Sequence, residues 1–301
     1  MQAGTSIRRT VRGIRRRLAT AYTRCFFPTT AANLQAFRSE LARKRGLELG
    51  GPSGILGDQG PLPVYDVLES LDNCLYSSRT IWTGEVGGGA SFIYHPKKKP
   101  GTQFLCDATQ LDPISNSSYD CVIASHCLEH VANPLRALQE CRRVLTPQGA
   151  LLLVLPHKDG TFDWRRPTTT LEHMMTDYAN NVGEDDLTHL PEILALHDLS
   201  RDEAAGTPEQ FHQRCLDNIT KRAIHHHVFD THTALALLDR GSFQISQVST
   251  LRPYHIMILA RRSEGVPDNV AFLGDQAEFR RVSPFRSDRL SAPQSPENGA
   301  R

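Results

Sequence analysis

The 301-residue chain lacks several things whose absence narrows its class. No run approaches the roughly 18 consecutive apolar residues of a membrane-spanning helix. Its seven cysteines form no C-x-x-C pair and no zinc-type spacing, so neither a disulfide framework nor a structural zinc site is indicated, and a reducing compartment fits. Net charge is only +1, which gives no overall electrostatic case for nucleic acid as a partner. The glycine turn after the first strand is not G-x-G-x-x-G, which argues against a nicotinamide-dependent oxidoreductase. Gly87-Gly88-Gly89 is not followed by Lys-Ser/Thr, so it reads as a flexible connector and not as a phosphate loop.

Acid is missing locally as well. The first 39 residues carry eight arginines and no Asp or Glu, while Ile7, Val11, Ile14, Leu18 and Tyr22 recur at helical spacing. Residues 1–30 thus form a basic amphipathic segment with three readings: a helix packed on the domain, a contact with an anionic membrane surface or a protein, or an organelle-targeting segment.

What is present is organised around residues 46–54. Leu47 and Leu49 flank Glu48 in a strand that ends in a turn of small residues, Gly50-Gly51-Pro52-Ser53-Gly54. A helix is expected over residues 31–45 before it. After it come a broken region with a short strand closing near Asp72, and a mobile loop over Gly84–Gly89 and Lys97–Lys99. From Phe104 the pattern becomes regular, with a strand ending at Asp107, a strand Tyr119–Ser125, a helix from Pro134 to Leu145 stopped by Pro147 and Gly149, and a strand Ala150–Leu155. Strands this continuously apolar need both faces covered, as in a parallel sheet. The fold class is therefore α/β, doubly wound and Rossmann-like, mostly parallel with an antiparallel final hairpin (Phe243–Thr250 and Tyr254–Ala260).

Between the last parallel strand and that hairpin lies a polar insertion, residues 157–230, which holds eight of the thirteen histidines. Thr169 and Glu172 suggest a capping box for a helix through Tyr178. His225-His226-His227 offers metal-ligand chemistry, but adjacent histidines cannot all face one ion, so hydrogen bonding is favoured and no metal is assigned. Residues 31–262 form one domain, and the Ser/Pro/Asp/Arg-rich segment 263–301 reads as a largely disordered tail.

The acid-plus-glycine turn, the acid at Asp107 within residues 106–111, the block 118–156 with Leu128-Glu129-His130-Val131, and the closing hairpin 243–262 together resemble the class I S-adenosylmethionine-dependent methyltransferases. The resemblance spans about residues 46–262. It implies S-adenosyl-L-methionine as cofactor, with Glu48 and Gly50, Gly51, Pro52, Ser53 and Gly54 around its methionine and sugar. Asp72 would take the ribose, Asp107 with neighbouring Ala108 the adenine, and Ser125 and His126 would line the cleft. Pro52 stands where the family usually has glycine, so the turn has one backbone donor fewer. His126 and His157 are the candidate catalytic bases, and Asp159, Arg165 and Arg166 could bind an anionic or sugar acceptor. The implied function is methyl transfer to a small-molecule or glycan-type acceptor, in the cytoplasm or at a membrane periphery. The alternative is a methyltransferase-like binding or scaffold protein without turnover.

Overall fold

The structure is a computed structural model that describes residues 28–290. Apart from its last residues, the basic N-terminal segment lies outside the described residues, as do residues 291–301. Helix α1 (Pro28–Leu41) leads into β1 (Arg45–Leu49) and β2 (Ser70–Leu75). A two-residue-per-strand hairpin, β3 (Arg79–Thr80) with β4 (Gly84–Glu85), and the edge strand β5 (Gly89–Phe92) precede β6 (Gly101–Leu105). Then come β7 (Tyr119–Ser125), α2 (Pro134–Val144) and β8 (Leu145–Pro156). The insertion carries α3 (Leu171–Ala179), α4 (Leu190–Leu196), α5 (Pro208–Leu216) and the single turn α6 (Asn218–Lys221). Helix α7 (Thr231–Arg240), β9 (Phe243–Leu251) and β10 (His255–Arg262) complete the domain, and three short helices, α8 (Val270–Leu273), α9 (Glu278–Val282) and α10 (Arg286–Leu290), follow.

The eight-stranded sheet has the order β5-β6-β2-β1-β7-β8-β10-β9. Strands β6, β2, β1, β7 and β8 are mutually parallel, whereas β10 runs antiparallel between β8 and β9. The chain leaves β1 toward β2 and β6 and then crosses to β7 on the other side, so the strand order reverses between β1 and β7. In open α/β sheets a ligand crevice opens at that reversal, outside the carboxyl ends of the strands.

Both faces are covered, which is why the central strands read as unbroken apolar runs. Leu151, Leu153 and Leu155 of β8 pack with Leu135 and Leu138 of α2 and Leu235 and Leu238 of α7. The alternate residues Leu152 and Val154 pack with Leu34, Phe37 and Leu41 of α1 and with Leu56, Tyr65 and Leu68. Helix α2 begins where its sequence says it should: the Asn133 side chain accepts from Arg136 N–H, and Pro134 occupies the first turn, where it loses no bond.

Four expectations need correction. Strand β2 runs to Leu75, so Asp72 lies inside the strand, accepting from Thr102 N–H at 2.6 Å and the Tyr119 hydroxyl at 2.7 Å. The expected loop at Gly84–Gly89 is partly strand, and Lys98 is tied to the Leu68 carbonyl. The cap of α3 is Thr170, whose side chain accepts from His173 N–H, while Thr169 Oγ1 accepts from Val228 N–H instead. Residues 263–290 are not a disordered tail: Ala277, Phe279, Phe285 and Asp288 are buried against the domain. No helix among the described residues is long and apolar enough to cross a membrane.

Candidate active site

The turn after β1 is held from below. Gly50 adopts φ +81°, open to glycine at little cost, and its N–H donates to Cys74 carbonyl at 2.9 Å. Gly51 N–H donates to Asn73 Oδ1 (2.9 Å), and Asn73 Nδ2 returns a bond to Gly51 carbonyl (3.1 Å). Ser53 N–H donates to the Tyr65 hydroxyl at 2.6 Å and to Glu48 Oε1 at 3.3 Å. The amides at 51 and 53 are therefore turned inward, and Pro52 between them has none. The loss of a donor at Pro52 thus falls in a stretch whose neighbouring donors already serve the fold.

Glu48 is part of that support. It is fully buried, with the Tyr65 hydroxyl 2.8 Å from each carboxylate oxygen. A Cβ on Gly51 would lie 2.2 Å from Glu48 Oε2, so the glycine is required by this carboxylate packed beneath it. Burial pushes Glu48 up to about 8, only partly offset by bonds from Tyr65 and Ser53. The structure places Glu48, expected beside the cofactor, with no exposed surface and both oxygens engaged by Tyr65 and Ser53, where it acts on the turn.

What remains open along the carboxyl edge is a short set of polar groups. Ser53 Oγ and Ser125 Oγ meet at 2.9 Å across the reversal between β1 and β7. A Cβ on Gly54 would meet no atom within 4 Å, so the end of the turn borders open space. Beyond β6, Asp107 Oδ1 accepts from Thr109 N–H (2.8 Å) and Thr109 Oγ1 (2.7 Å), and its side chain keeps 27% of its surface exposed. Ala108 is half-buried beside it, packed against the core. Asp72, in mid-strand, does not reach this edge; Tyr76 follows the end of β2 instead.

The insertion closes over the same strand ends. Arg222 donates from Nη2 to Asp107 Oδ2 at 2.8 Å, pairs through Nη1 with Glu184 Oε1 at 2.9 Å, and lies 5.1 Å above the Tyr76 ring. The Tyr76 hydroxyl donates to Thr220 and Lys221 carbonyls at 3.2 and 3.1 Å. Nothing in the sequence paired Arg222 with Asp107, which lies 115 residues away.

His126 stands directly after β7 with φ +52°, a left-handed conformation uncommon for a residue with a Cβ and frequent at functional sites. Its Nδ1 lies 3.3 Å from Glu129 Oε1 and its Nε2 3.1 Å from His255 Nδ1, with the Tyr254 ring edge-on at 5.5 Å. Burial alone would raise Glu129, but the hydrogen bond and charge of His126 hold it below the usual carboxylate range. Nearby His130 donates from Nδ1 to the Ile224 carbonyl at 2.9 Å, and burial beside His225 presses it down to about 4.

The second candidate base is corrected. His157 is fully buried, its Nε2 3.1 Å from Asp288 Oδ1, its Nδ1 accepting from Asp159 N–H, and its ring stacked on Phe285 at 4.0 Å. With both nitrogens engaged it anchors the C-terminal helices. Asp159 accepts from Ser287, and Arg166 is buried between Asp163 and Glu192, so neither is free to bind an acceptor. Sequence reasoning missed Tyr65, Asn73, Glu129, His255 and Arg222 because their roles come from partners distant in the chain. A surface cavity of about 570 Å³, lined by Thr109, Gln110, Arg136, Gln139 and Tyr178 among others, lies beside the Asp107 loop and not over the strand ends.

Residues 93–153 match the family model for a methyltransferase domain, covering β6, β7, α2 and most of β8. Among curated proteins, a 37.1 kDa protein of transposon TN4556 from Streptomyces fradiae is 43% identical over 53 residues, which is 17% of this chain and only 15% of that protein. Solved structures with a similar course include a methyltransferase from Methanosarcina mazei (19% identical, TM-score 0.44, covering 75% of this chain and 96% of that one). Another is from Mesorhizobium loti (16% identical, TM-score 0.43, covering 76% and 95%).

Proposed function

We infer that the chain, whose sheet order and central block are those of the class I S-adenosylmethionine-dependent methyltransferases, transfers the sulfonium methyl group of S-adenosyl-L-methionine to a small-molecule or glycan-type acceptor. The observation that carries this is the row of polar groups along one carboxyl edge: the Ser53–Ser125 contact at the strand reversal, Asp107 beyond β6 and His126 beyond β7. The chemistry of this set fits the cofactor. A carboxylate such as Asp107 accepts from an exocyclic amine, and the two serine hydroxyls suit polar groups of the methionine part. Gly54 borders the space the cofactor would need.

Bound S-adenosyl-L-methionine supplies an electrophilic methyl group on sulfur. The protein's part is alignment, because an in-line displacement is limited by approach and orientation. Glu48, Tyr65 and Asn73 fix the turn that borders the methionine end. Asp107, itself held by Thr109 and Arg222, orients the adenine. For a hydroxyl acceptor, His126 would take the proton that the acceptor oxygen gives up when it is methylated. Glu129, facing Nδ1, keeps the proton of the resting ring on that nitrogen and directs the Nε2 lone pair toward His255 Nδ1, a contact that the acceptor hydroxyl would have to replace. The insertion over residues 157–230 shapes the acceptor side.

Binding of S-adenosylhomocysteine by calorimetry tests the reading first, followed by a screen of hydroxylated small molecules and glycans with methyl-labelled cofactor. Saturable binding and label transfer are expected. Binding without transfer to any acceptor would favour the scaffold alternative, and absence of binding would overturn both.

A further inference from the structure

The insertion brings together a second set of groups that methyl transfer does not use. His173 and Asp177 lie one turn apart on the same face of α3, as two ligands of one ion on a helix must. His189 precedes α4, and His227 lies on the extended segment leading to α7. His173 Nε2 is 3.1 Å from His189 Nε2 and 3.3 Å from Asp177 Oδ2, and Asp177 Oδ2 is 3.9 Å from His227 Nε2. One ligand atom from each of the four lies within 4.8 Å of the others. Ligands about 2.0–2.1 Å from a tetrahedral ion are about 3.3 Å apart, which is the spacing of this set.

A second observation points the same way. Asp177 Oδ2 and His227 Nδ1 are buried and have no hydrogen-bond partner among the described residues, in side chains of residues only 8% and 1% exposed. A buried carboxylate oxygen and a buried imidazole nitrogen left unpaired cost free energy unless something satisfies them. Two other His/acid groups are better accounted for. In Glu129–His130–His225, both imidazoles are committed to protein partners, the Ile224 carbonyl and Asp163, and only Glu129 Oε2 is unpaired. In Asp186–His189–His226, Asp186 accepts from Thr188 and His226 meets Asn218.

We propose that His173, Asp177, His189 and His227 form a binding site for a divalent transition-metal ion, with zinc the ion best suited. Three imidazoles and one carboxylate match zinc, and four protein ligands leave no open position, which is the form of a structural site and not of a catalytic one. Of the three adjacent histidines only His227 enters the set: His225 turns to Asp163 and His226 to Asn218, whereas His227, whose Nε2 donates to the Ala132 carbonyl, keeps Nδ1 unpaired as the ligand atom. The ion would fasten α3, the start of α4 and the segment before α7 into one unit. The proposal is independent of the methyl-transfer reading.

The test uses the full chain without a histidine tag. Metal content is measured after purification, and the chelator-treated protein is titrated with cobalt(II) and with zinc. About one zinc per chain, a saturable cobalt spectrum of tetrahedral type and a melting temperature that rises with added zinc are expected. His173→Ala, at a half-exposed side chain that the fold does not need, and Asp177→Asn should each weaken binding tenfold or more with an unchanged far-ultraviolet spectrum. His212→Ala, outside the set, should leave binding intact. No saturable binding of either metal, or equal binding by the His173→Ala protein, would overturn the proposal.

Discussion

The Tyr65 hydroxyl sits 2.8 Å from both oxygens of the buried Glu48 carboxylate, directly beneath the turn that follows β1. The two residues come from opposite ends of that turn's supporting loop, and the Ser53 amide closes the triangle. Tyr65→Phe leaves a buried carboxyl group short of its main donor. It should cost about 1–3 kcal/mol in urea unfolding and weaken S-adenosylhomocysteine binding without a change at the strand ends themselves.

Glu48 also gives a pH signature. Its folded value, about 8, lies above that of the unfolded chain, so its contribution is fully present below the ordinary carboxylate range and is lost as pH rises toward about 8. The wild-type protein should therefore lose stability between about pH 5 and 8, by on the order of 4 kcal/mol from this group. Glu48→Gln cannot ionise and should flatten that slope in urea melts at pH 5.5 and 8. An equal slope in both proteins would refute the assignment.

At the other end of the edge, Asp107→Ala should weaken S-adenosylhomocysteine binding about tenfold or more, the worth of one charge-assisted hydrogen bond. Arg222→Ala leaves the carboxylate in place but removes the group that orients it. Its calorimetric affinity should fall between those of wild type and Asp107→Ala.

Once an acceptor is in hand, His126→Ala should lower kcat by about 10²–10⁴ for a hydroxyl acceptor, with cofactor affinity kept. Glu129→Gln tests positioning: it should lower kcat less than His126→Ala does and shift the pH profile of kcat, with little effect on KM. Identical pH profiles for wild type and Glu129→Gln would argue that Glu129 only fills space.

His157→Ala breaks a fully buried pair with Asp288 and should destabilise the fold by about 3–5 kcal/mol, while spectra of cofactor-product binding stay close to wild type at low temperature. Burial raises Asp288, but His157, Ser283 and Thr231 together hold it below the carboxylate range. Its contribution is present above its unfolded value and lost as pH falls through the lowered one, so the wild-type advantage over His157→Ala should shrink in acid melts.

The central block was legible because its residues answer to one requirement at a time. Val122, Ile123 and Leu152 need only be apolar on both faces, and Asn133-Pro134 needs only to start a helix. Where a residue's role depends on a partner far along the chain, periodicity is silent. Asn73 looks like the end of a strand, yet it is buried within β2 because Gly51 and Gln103 satisfy its amide. Asp288 looks like part of a polar tail, yet it is buried against His157 and Thr231. Glu48 was found as the centre of the site by its place beside the turn, and only the packing of Tyr65 and Gly51 reveals that it works from beneath.

Arg222 belongs at once to the insertion and to the strand edge, touching Glu184 on one side and Asp107 on the other. Glu184 in turn accepts from Ala132 N–H, and the Ala132 carbonyl lies 3.1 Å from His227 Nε2. Linkage between two binding events along such a chain would be reciprocal. If ordering of the insertion changes the affinity for the adenosine end of a ligand by some factor, that ligand must order the insertion by the same factor. On that condition, a ligand held at Asp107 would be felt through Arg222 and Glu184 as far as His227.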